Sequence, residues 1–348
     1  MNSLDPDKFE IVSIAIRQDG TWVLGATDPA QLQLNGATTV VGESKDRIVL
    51  GGGDGSQDLL LVHDALGHDG EPQIESLGPI DVAFPLLHGP FGEDGTIQGL
   101  LEMANIPYVG CGVFASAAGM DKDFMKVVLR SKGIKVGPYV AVTQKRWKTA
   151  EKQVLAEVAE LEFPVYVKPA RAGSSLGITR VESIEEVPDA IEAAQKYDPK
   201  VVIEAGIIGR EVECAVLGGR GLQPSRAGMP GEVTFAKSAA GFYDFEHKYL
   251  DTQTLVMHVP PQNISAEDLQ RVRELAVKAF DAFECEGLTR VDLFFQADGT
   301  LLVNEINTMP GFTPFSMYPV MWEKAGISYA KLIEELIALA LERGTGLH

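Results

Sequence analysis

Two short apolar runs, LTRVDLFF (288–295) and LLVNEINTMPG (301–311), flank the turn residues Gln296, Ala297, Asp298, Gly299 and Thr300. Apolar runs separated by such a turn form a β-hairpin. Side chains alternate across a strand, so Arg290 and Asp292 share one face, as do Glu305 and Asn307 on the partner. If the two faces coincide, two carboxylates, an amide oxygen and a guanidinium converge. Hard oxygen donors of this kind suit Mg²⁺, which binds through one or two carboxylates together with substrate phosphates. An adjacent arginine suits a developing oxyanion. An edge hairpin with a solvated polar face explains the same segment equally well, so the other motifs must decide.

The 348 residues suffice for two or three domains, and a hydrophobic content of 45% can fill their cores. With 30 Lys+Arg against 49 Asp+Glu, the net charge of −19 opposes binding to nucleic acid or an anionic membrane. A phosphate-bearing ligand must therefore meet local lysines. Cys111, Cys214 and Cys285 are odd in number and far apart, which argues against a disulfide framework or a zinc site and reads as three buried small hydrophobes in a reducing compartment. No apolar run approaches the ~20 residues of a membrane span, and the N-terminus carries no basic stretch followed by an apolar core. A cytoplasmic protein is expected.

Along the chain, EIVSIAI (10–16), IDVAFPLL (80–87), the helix-like GTIQGLLEMANI, the strand-like PYVG and a helix over 115–132 read as strand–helix alternation, the pattern of a parallel sheet. This first section is assigned to 1–118. A second section, 119–207, combines the helix KTAEKQVLAEVAELE, the strand FPVYVKPA, a glycine-rich loop at 173–177, the helix SIEEVPDAIEAAQKY and the strand KVVIEA, as in a small α+β lid. The third, 208–348, runs from REVECAVLGG through the hairpin to two helices. One opens at Ser265 with Asp268 as capping partner, and the other ends at Arg343 and Gly344. Residues 218–255, rich in Gly, Ser and charge, read as a long ordered loop.

KPARAGSSLG (168–177) follows a strand and combines a lysine, glycines and serines, so its backbone N–H groups and hydroxyls can wrap a phosphate while Lys168 supplies charge. It is not a Walker loop, and a glycine-rich turn is the plainer explanation were Lys168 absent. Glu204 ends one strand and Glu211 opens the next, and the linker between them can offer backbone groups to a flat base while a carboxylate accepts ribose hydroxyls. HGPFGEDG (88–95) places His88 at the C-terminal edge of a strand, where α/β folds keep ligands, although a lone histidine is more often structural. YDFEHKYL (243–250) sets aromatic and charged residues inside the long loop, as expected if it closes over a ligand.

Taken in order, HGPFGEDGTIQG, MDK (120–122), VKPARAGSSLG, IEAGIIGREVE, YDFEHKYL, GLTRVDLFF and NEINTMPG resemble the D-alanine–D-alanine ligase family of the ATP-grasp superfamily over nearly the whole chain. The resemblance implies an α/β and α+β architecture: an N-terminal parallel-sheet domain, a central α+β lid and a C-terminal mixed-sheet domain. It implies ATP-dependent joining of two D-alanines through an acyl phosphate for peptidoglycan precursor synthesis, in a cytoplasmic homodimer built through the N-terminal part. By motif, Lys122, Lys168 and Lys248 would contact ATP phosphates under the glycine loop with Ser175. Glu204 and the backbone of Ala205 and Ile207 would hold adenine, and Glu211 the ribose. Asp292, Glu305 and Asn307 would bind two Mg²⁺, or Mn²⁺ in their place. Arg290 and the Gly311 N–H would form the oxyanion site, Ser316 and His88 would line the D-alanine pockets, and Ser174 and Tyr249 would orient substrate and latch the loop.

One departure accompanies this resemblance. Members of the family resemble one another in an opening strand and a glycine-rich turn whose glutamate receives the first D-alanine's ammonium, whereas this chain begins MNSLDPDKFEIV, similar to the stretch just after that motif. The first strand and that carboxylate are thus expected to be missing. Two alternatives stay open: another ATP-grasp ligase joining a different carboxylate and amine, or a nucleotide-binding protein inactive for lack of the glutamate. In the family a tyrosine after the loop lysine accompanies D-alanine as second substrate, so Tyr249→Phe is predicted to loosen selection among D-alanine, D-lactate and D-serine. Competition between these acceptors measures it, and an unchanged preference contradicts the role.

Overall fold

The computed structural model describes residues 3–17, 19–25, 34–35, 38–39, 46–51, 57–66, 72–173, 176–235 and 255–346. The chain forms two compact units, one comprising Met1–Ala83, Leu100–Tyr108 and Ile333–His348, the other Phe84–Gly99 and Val109–Leu332.

In the first unit, β1 (Ile14–Ile16) pairs antiparallel with β2 (Trp22–Leu24), and β3 (Leu34–Asn35) with β4 (Thr38–Thr39). A three-stranded antiparallel sheet follows from β5 (Arg47–Leu50), β6 (Asp58–Leu66) and β7 (Pro72–Pro79). Ile48, Leu59 and Leu61 form its buried cluster, with Ile14, Trp22 and Leu77 packed on it. The parallel pairing expected of the first section appears among the described residues as one bridge, Ala83 to Tyr108. The run 80–87 reads as a strand but carries Pro85, which has no N–H to extend a ladder.

Helix α1 (Thr96–Met103) is followed by α2 (Val113–Met120) and α3 (Lys122–Ser131). The single helix expected over 115–132 is therefore two. Asp121 divides them: its backbone is extended (φ −85°, ψ 103°) and its carboxylate accepts from the N–H groups of Asp123 and Phe124. That is an N-cap, which restarts the helix by satisfying two of its orphan donors. The restart places Lys122 and Lys126, four residues apart, on one face of α3.

The second unit holds two sheets. The central sheet has the order β10-β9-β11-β8, from β8 (Tyr139–Thr143), β9 (Val165–Pro169), β10 (Thr179–Val181) and β11 (Lys200–Ala205). Valine-rich strands bury Val142, Val167 and Ile203 with Val154, Val158 and Ile191 from α4 (Gln144–Val158) and α5 (Val187–Ala194). Helix α4 starts four residues before the sequence suggests, because Thr143 caps it by accepting from the Arg146 N–H.

The C-terminal sheet runs β15-β14-β12-β16-β17, with β13 also on β12. Its strands are β12 (Arg210–Leu217), β13 (Arg226–Ala227), β14 (Gly231–Phe235), β15 (Leu255–His258), β16 (Leu288–Phe295) and β17 (Leu301–Asn307). All of these pairs are antiparallel, and a parallel bridge from Val136 to Val303 makes the sheet mixed. Helix α6 (Ala266–Ala282) covers one face, burying Val272, Ala276 and Phe280 against Cys214, Val291 and Val303. Its Ser265 cap behaves as the sequence suggests, accepting from the Asp268 N–H at 3.0 Å. All three cysteines are free and buried.

Two expectations need correction here. Residues 226–235, expected within a long loop, contribute β13 and β14, and β14 sits between β12 and β15. Gly231 begins β14, and a side chain there would meet Met317 Sδ at 2.6 Å. A short helix α7 (Met317–Lys324) precedes α8 (Tyr329–Arg343), and Pro319 in its first turn hid it from the sequence pattern although proline is tolerated there. Removing the Asp121 cap by Asp121→Ala is expected to cost about 1–2 kcal/mol of stability. Urea denaturation reads this, and an unshifted midpoint would dissociate Asp121 from the start of α3.

Candidate functional site

The register of β16 and β17 sets Arg290 opposite Asn307 and Asp292 opposite Glu305, so the four polar side chains share the face away from α6. Between these pairs and the turn, a β-bulge intervenes: Leu293 faces Val303, and Asn304 is the extra residue. The bulge lets Val303 and Ile306, three apart, both enter the core while Glu305 and Asn307 stay on the polar face.

Arg290 clasps Asp292 with two hydrogen bonds, Nε to Oδ1 at 2.7 Å and Nη2 to Oδ2 at 2.6 Å, and Asn307 Nδ2 adds a third to Oδ2 at 3.0 Å. Glu213, which β12 places opposite Asp292, pairs with Arg290 Nε at 3.2 Å. Burial works against the guanidinium's charge, but Asp292 and Glu213 outweigh it and hold its pKa well above the usual value. The side-chain oxygens of Asp292, Glu305 and Asn307 are hard donors on one face, in the chemical class Mg²⁺ takes. Among the described residues no group of three or more His, Cys, Asp or Glu is placed to hold a metal unaided. Two carboxylates and one amide oxygen are the kind of donor set Mg²⁺ takes when phosphate oxygens and water complete its shell.

A second charged group lies between α3 and the central sheet. Lys168 on β9 and Glu204 on β11 are diagonal neighbours on one face of the ladder, since Lys168 pairs with Val202 and Glu204 with Tyr166. Lys168 Nζ lies 2.7 Å from Glu204 Oε2, and Lys126 Nζ lies 3.0 Å from Oε1. Burial alone would raise the Glu204 pKa, yet the two amines hold it far below the usual carboxylate range. Burial also pulls Lys168 down, and Glu204 more than offsets it, raising that amine. For Lys126 burial prevails, with repulsion from Lys168 and Lys122 added, and its pKa is lowered. Lys122 Nζ donates to the Ala172 carbonyl at 2.9 Å, tying α3 to the glycine-rich loop. Ala205, the last residue of β11, is buried, Ile207 lies against Gly137, and Glu211 stands in β12.

His88 Nδ1 lies 3.0 Å from the Met309 carbonyl, which brings the HGPFGEDG segment to the loop after β17. Within that segment Glu93 accepts from the Gly89 N–H at 2.6 Å. Burial raises the Glu93 pKa, the Gly89 N–H and His88 oppose this, and Glu305 adds to the rise. In the same loop Ser316 Oγ accepts from the Thr313 N–H at 3.0 Å, and a side chain at Gly311 would meet that Oγ at 3.2 Å. Phe312 packs against Phe84, Tyr318 and Tyr329, and the Tyr329 hydroxyl donates to the Phe312 carbonyl at 2.7 Å.

The structure thus brings together Arg290, Asp292, Glu305 and Asn307, unites Lys168 and Glu204 with Lys126 in a second cluster, ties Lys122 to the glycine-rich loop at Ala172, and carries His88 to the segment of Gly311 and Ser316. Ser174, Ser175, Lys248 and Tyr249 lie outside the described residues. Sequence reasoning missed Lys126, Glu213 and Glu93. The four-residue spacing of Lys122 and Lys126 and the two-residue spacing of Glu211 and Glu213 were signals available for two of them.

Two family models match the chain, D-ala D-ala ligase N-terminus over residues 1–111 and D-ala D-ala ligase C-terminus over 128–338. A D-alanine–D-alanine ligase of Pseudarthrobacter chlorophenolicus is 52% identical over 348 residues, covering 100% of this chain and 89% of the relative. One of Streptomyces coelicolor is 43% identical over 354 residues, covering 99% and 88%. Among solved structures, the VanG D-Ala:D-Ser ligase of Enterococcus faecalis superposes with a TM-score of 0.80 at 34% identity, covering 97% of this chain and 92% of that one. The D-alanine–D-alanine ligase of Coxiella burnetii gives 0.76 at 32%, covering 98% and 87%.

Glu204 supplies a pH test. Its folded-state pKa is depressed, so its stabilisation is present above the usual carboxylate range near 4.5 and is lost as pH falls below it. Glu204→Gln is expected to cost about 3–5 kcal/mol at pH 7, as for breaking a buried pair, and progressively less as pH falls from about 4.5 to 3. Urea midpoints at the two pH values measure this, and a gap independent of pH would refute the assignment.

Proposed function

The chain belongs to the D-alanine–D-alanine ligase family, and from that premise we propose that it joins two D-alanines to D-alanyl-D-alanine at the expense of ATP, for cell-wall precursor synthesis. The observation that carries this reading is the shared face of β16 and β17, where two carboxylates, an amide and a half-buried arginine meet beside the loop of Gly311 and Ser316.

A carboxylate is a poor electrophile, so an amide bond requires its oxygen to become part of a leaving group. ATP provides the phosphoryl group. The first D-alanine's carboxylate attacks the γ-phosphorus, giving an acyl phosphate and ADP. The amine of the second D-alanine, having lost a proton, attacks the acyl carbon, and the tetrahedral oxyanion collapses with release of phosphate. In this scheme Lys122 and Lys168, with the glycine-rich loop and Lys248, receive the phosphates. The backbone at Ala205 and Ile207 meets adenine, Glu204 holds the amines of Lys126 and Lys168, and Glu211 accepts the ribose hydroxyls. Asp292, Glu305 and Asn307 would hold Mg²⁺, which when bound supplies charge neutralisation at the transferring phosphoryl group. Arg290 and the Gly311 N–H stabilise the oxyanion. His88 and Ser316 line the amino-acid pockets, while Ser174 and Tyr249 orient substrate and latch the segment that keeps water from the acyl phosphate.

The same reading divides the chain into a substrate domain to residue 118, a lid to 207 and a catalytic domain beyond, working as a cytoplasmic homodimer. No helix among the described residues is long and apolar enough to cross a membrane, and the charge of −19 disfavours nucleic acid as a partner.

Phosphate release from ATP with D-alanine, compared with L-alanine and with D-alanine plus D-serine, tests the activity. D-alanine-dependent release with a dipeptide product supports it, and heat protection by ATP with no such release overturns it. Arg290→Ala is expected to retain the KM for ATP and lose about 10²- to 10³-fold in turnover. Undiminished turnover would remove Arg290 from the oxyanion site.

A further inference from the structure

Lys126 is the most enclosed charge of the lysine–glutamate cluster: its side chain is 2% exposed, against 17% for Lys168 and 11% for Glu204. Its amine lies 3.0 Å from Glu204 Oε1 while Lys168 occupies Oε2 at 2.7 Å, so each oxygen of one carboxylate has its own cation. The same amine lies over the Tyr139 ring at 5.7 Å and 3.5 Å from the carbonyl of Asn304, the extra residue of the bulge. Walled in this way, it has no surface to present to a ligand.

The arrangement matters once Lys168 is asked to meet a phosphate. A buried carboxylate deprived of its counter-charge is strongly destabilised. With Lys168 as sole partner, each turn of its amine towards a phosphate oxygen would strand Glu204. A second amine on the other oxygen removes that penalty and leaves the cluster with a net positive charge for an incoming anion. We propose that Lys126 is a positioning residue for nucleotide binding: it neutralises Glu204 so that Lys168 can engage a phosphate, without itself touching the nucleotide. The proposal rests on the reading of Lys168 as a phosphate ligand given above.

The test is steady-state kinetics of the full chain at saturating D-alanine with ATP varied, on Lys126→Met, Lys126→Arg, Lys168→Ala and the double variant Lys126→Met/Glu204→Gln. Lys126→Met is expected to raise the KM for ATP about ten-fold or more while kcat at saturating ATP stays within about two-fold. Lys126→Arg should recover most of that loss, and the double variant should show a lower KM than Lys126→Met because the carboxylate no longer needs a cation. An unchanged KM in Lys126→Met beside a raised KM in Lys168→Ala overturns this proposal and leaves the phosphate reading intact. Unchanged KM in both overturns the phosphate reading and this proposal with it. A fall in kcat with KM unmoved also overturns it, placing Lys126 with the Asn304 bulge instead. Should Lys126→Met not fold, the comparison of Lys126→Arg with the double variant decides: a KM near wild type in the former and a high KM in the latter overturns the proposal.

Discussion

The pairing of Asp292 with Glu305 across β16 and β17 sets the terms for every other residue of the site. Side chains on a strand alternate, so a slip of one residue would turn Glu305 and Asn307 into the core and bring Val303 and Ile306 to the polar face. The burial of Val291, Leu293 and Val303 against α6 opposes that slip. Hydrophobic packing on one side of the sheet thereby fixes the geometry of ionic chemistry on the other, and β12 extends the same logic by presenting Glu213 to Arg290.

Among the described residues, charges gather in groups in which one ion faces two of opposite sign. Arg290 is shared by Asp292 and Glu213, Glu204 by Lys126 and Lys168, and Lys200 pairs with both Asp121 and Asp123. A buried pair gains little over a hydrophobic substitute, whereas a triad keeps one charge in excess that a ligand can compete for. Among these pairs the excess is positive at Glu204, beside the proposed phosphate ligand Lys168, and negative at Arg290, beside the proposed Mg²⁺ ligands.

Much of this was legible in the sequence because local rules were strong where the site is built. The hairpin was announced by its turn and by alternating apolar residues, and Glu204 and Glu211 by their places at strand ends. What escaped reading was set by tertiary context. Asp121 divides a continuous-looking helix only because its carboxylate turns to cap α3 and meets Lys200. Strand β14 reads as loop until β12 and β15 supply its partners. The HGPFGEDG motif was visible, but the half-buried setting of Glu93 involves Met309, more than 200 residues away. Sequence spacing could have offered Lys126 and Glu213, yet nothing local distinguishes a buried lysine from a solvated one.

The extra residue at Asn304 has a consequence for the design of such a surface. It shifts the phase of β17 midway, so the strand uses one rhythm to seat Leu301 and Val303 and another to aim Glu305 and Asn307. A perfectly regular ribbon carrying the same letters would have to choose between a dry interior and a working exterior. Here a local irregularity reconciles them, and shortening the strand by that one position would be expected to erase function while improving its regularity.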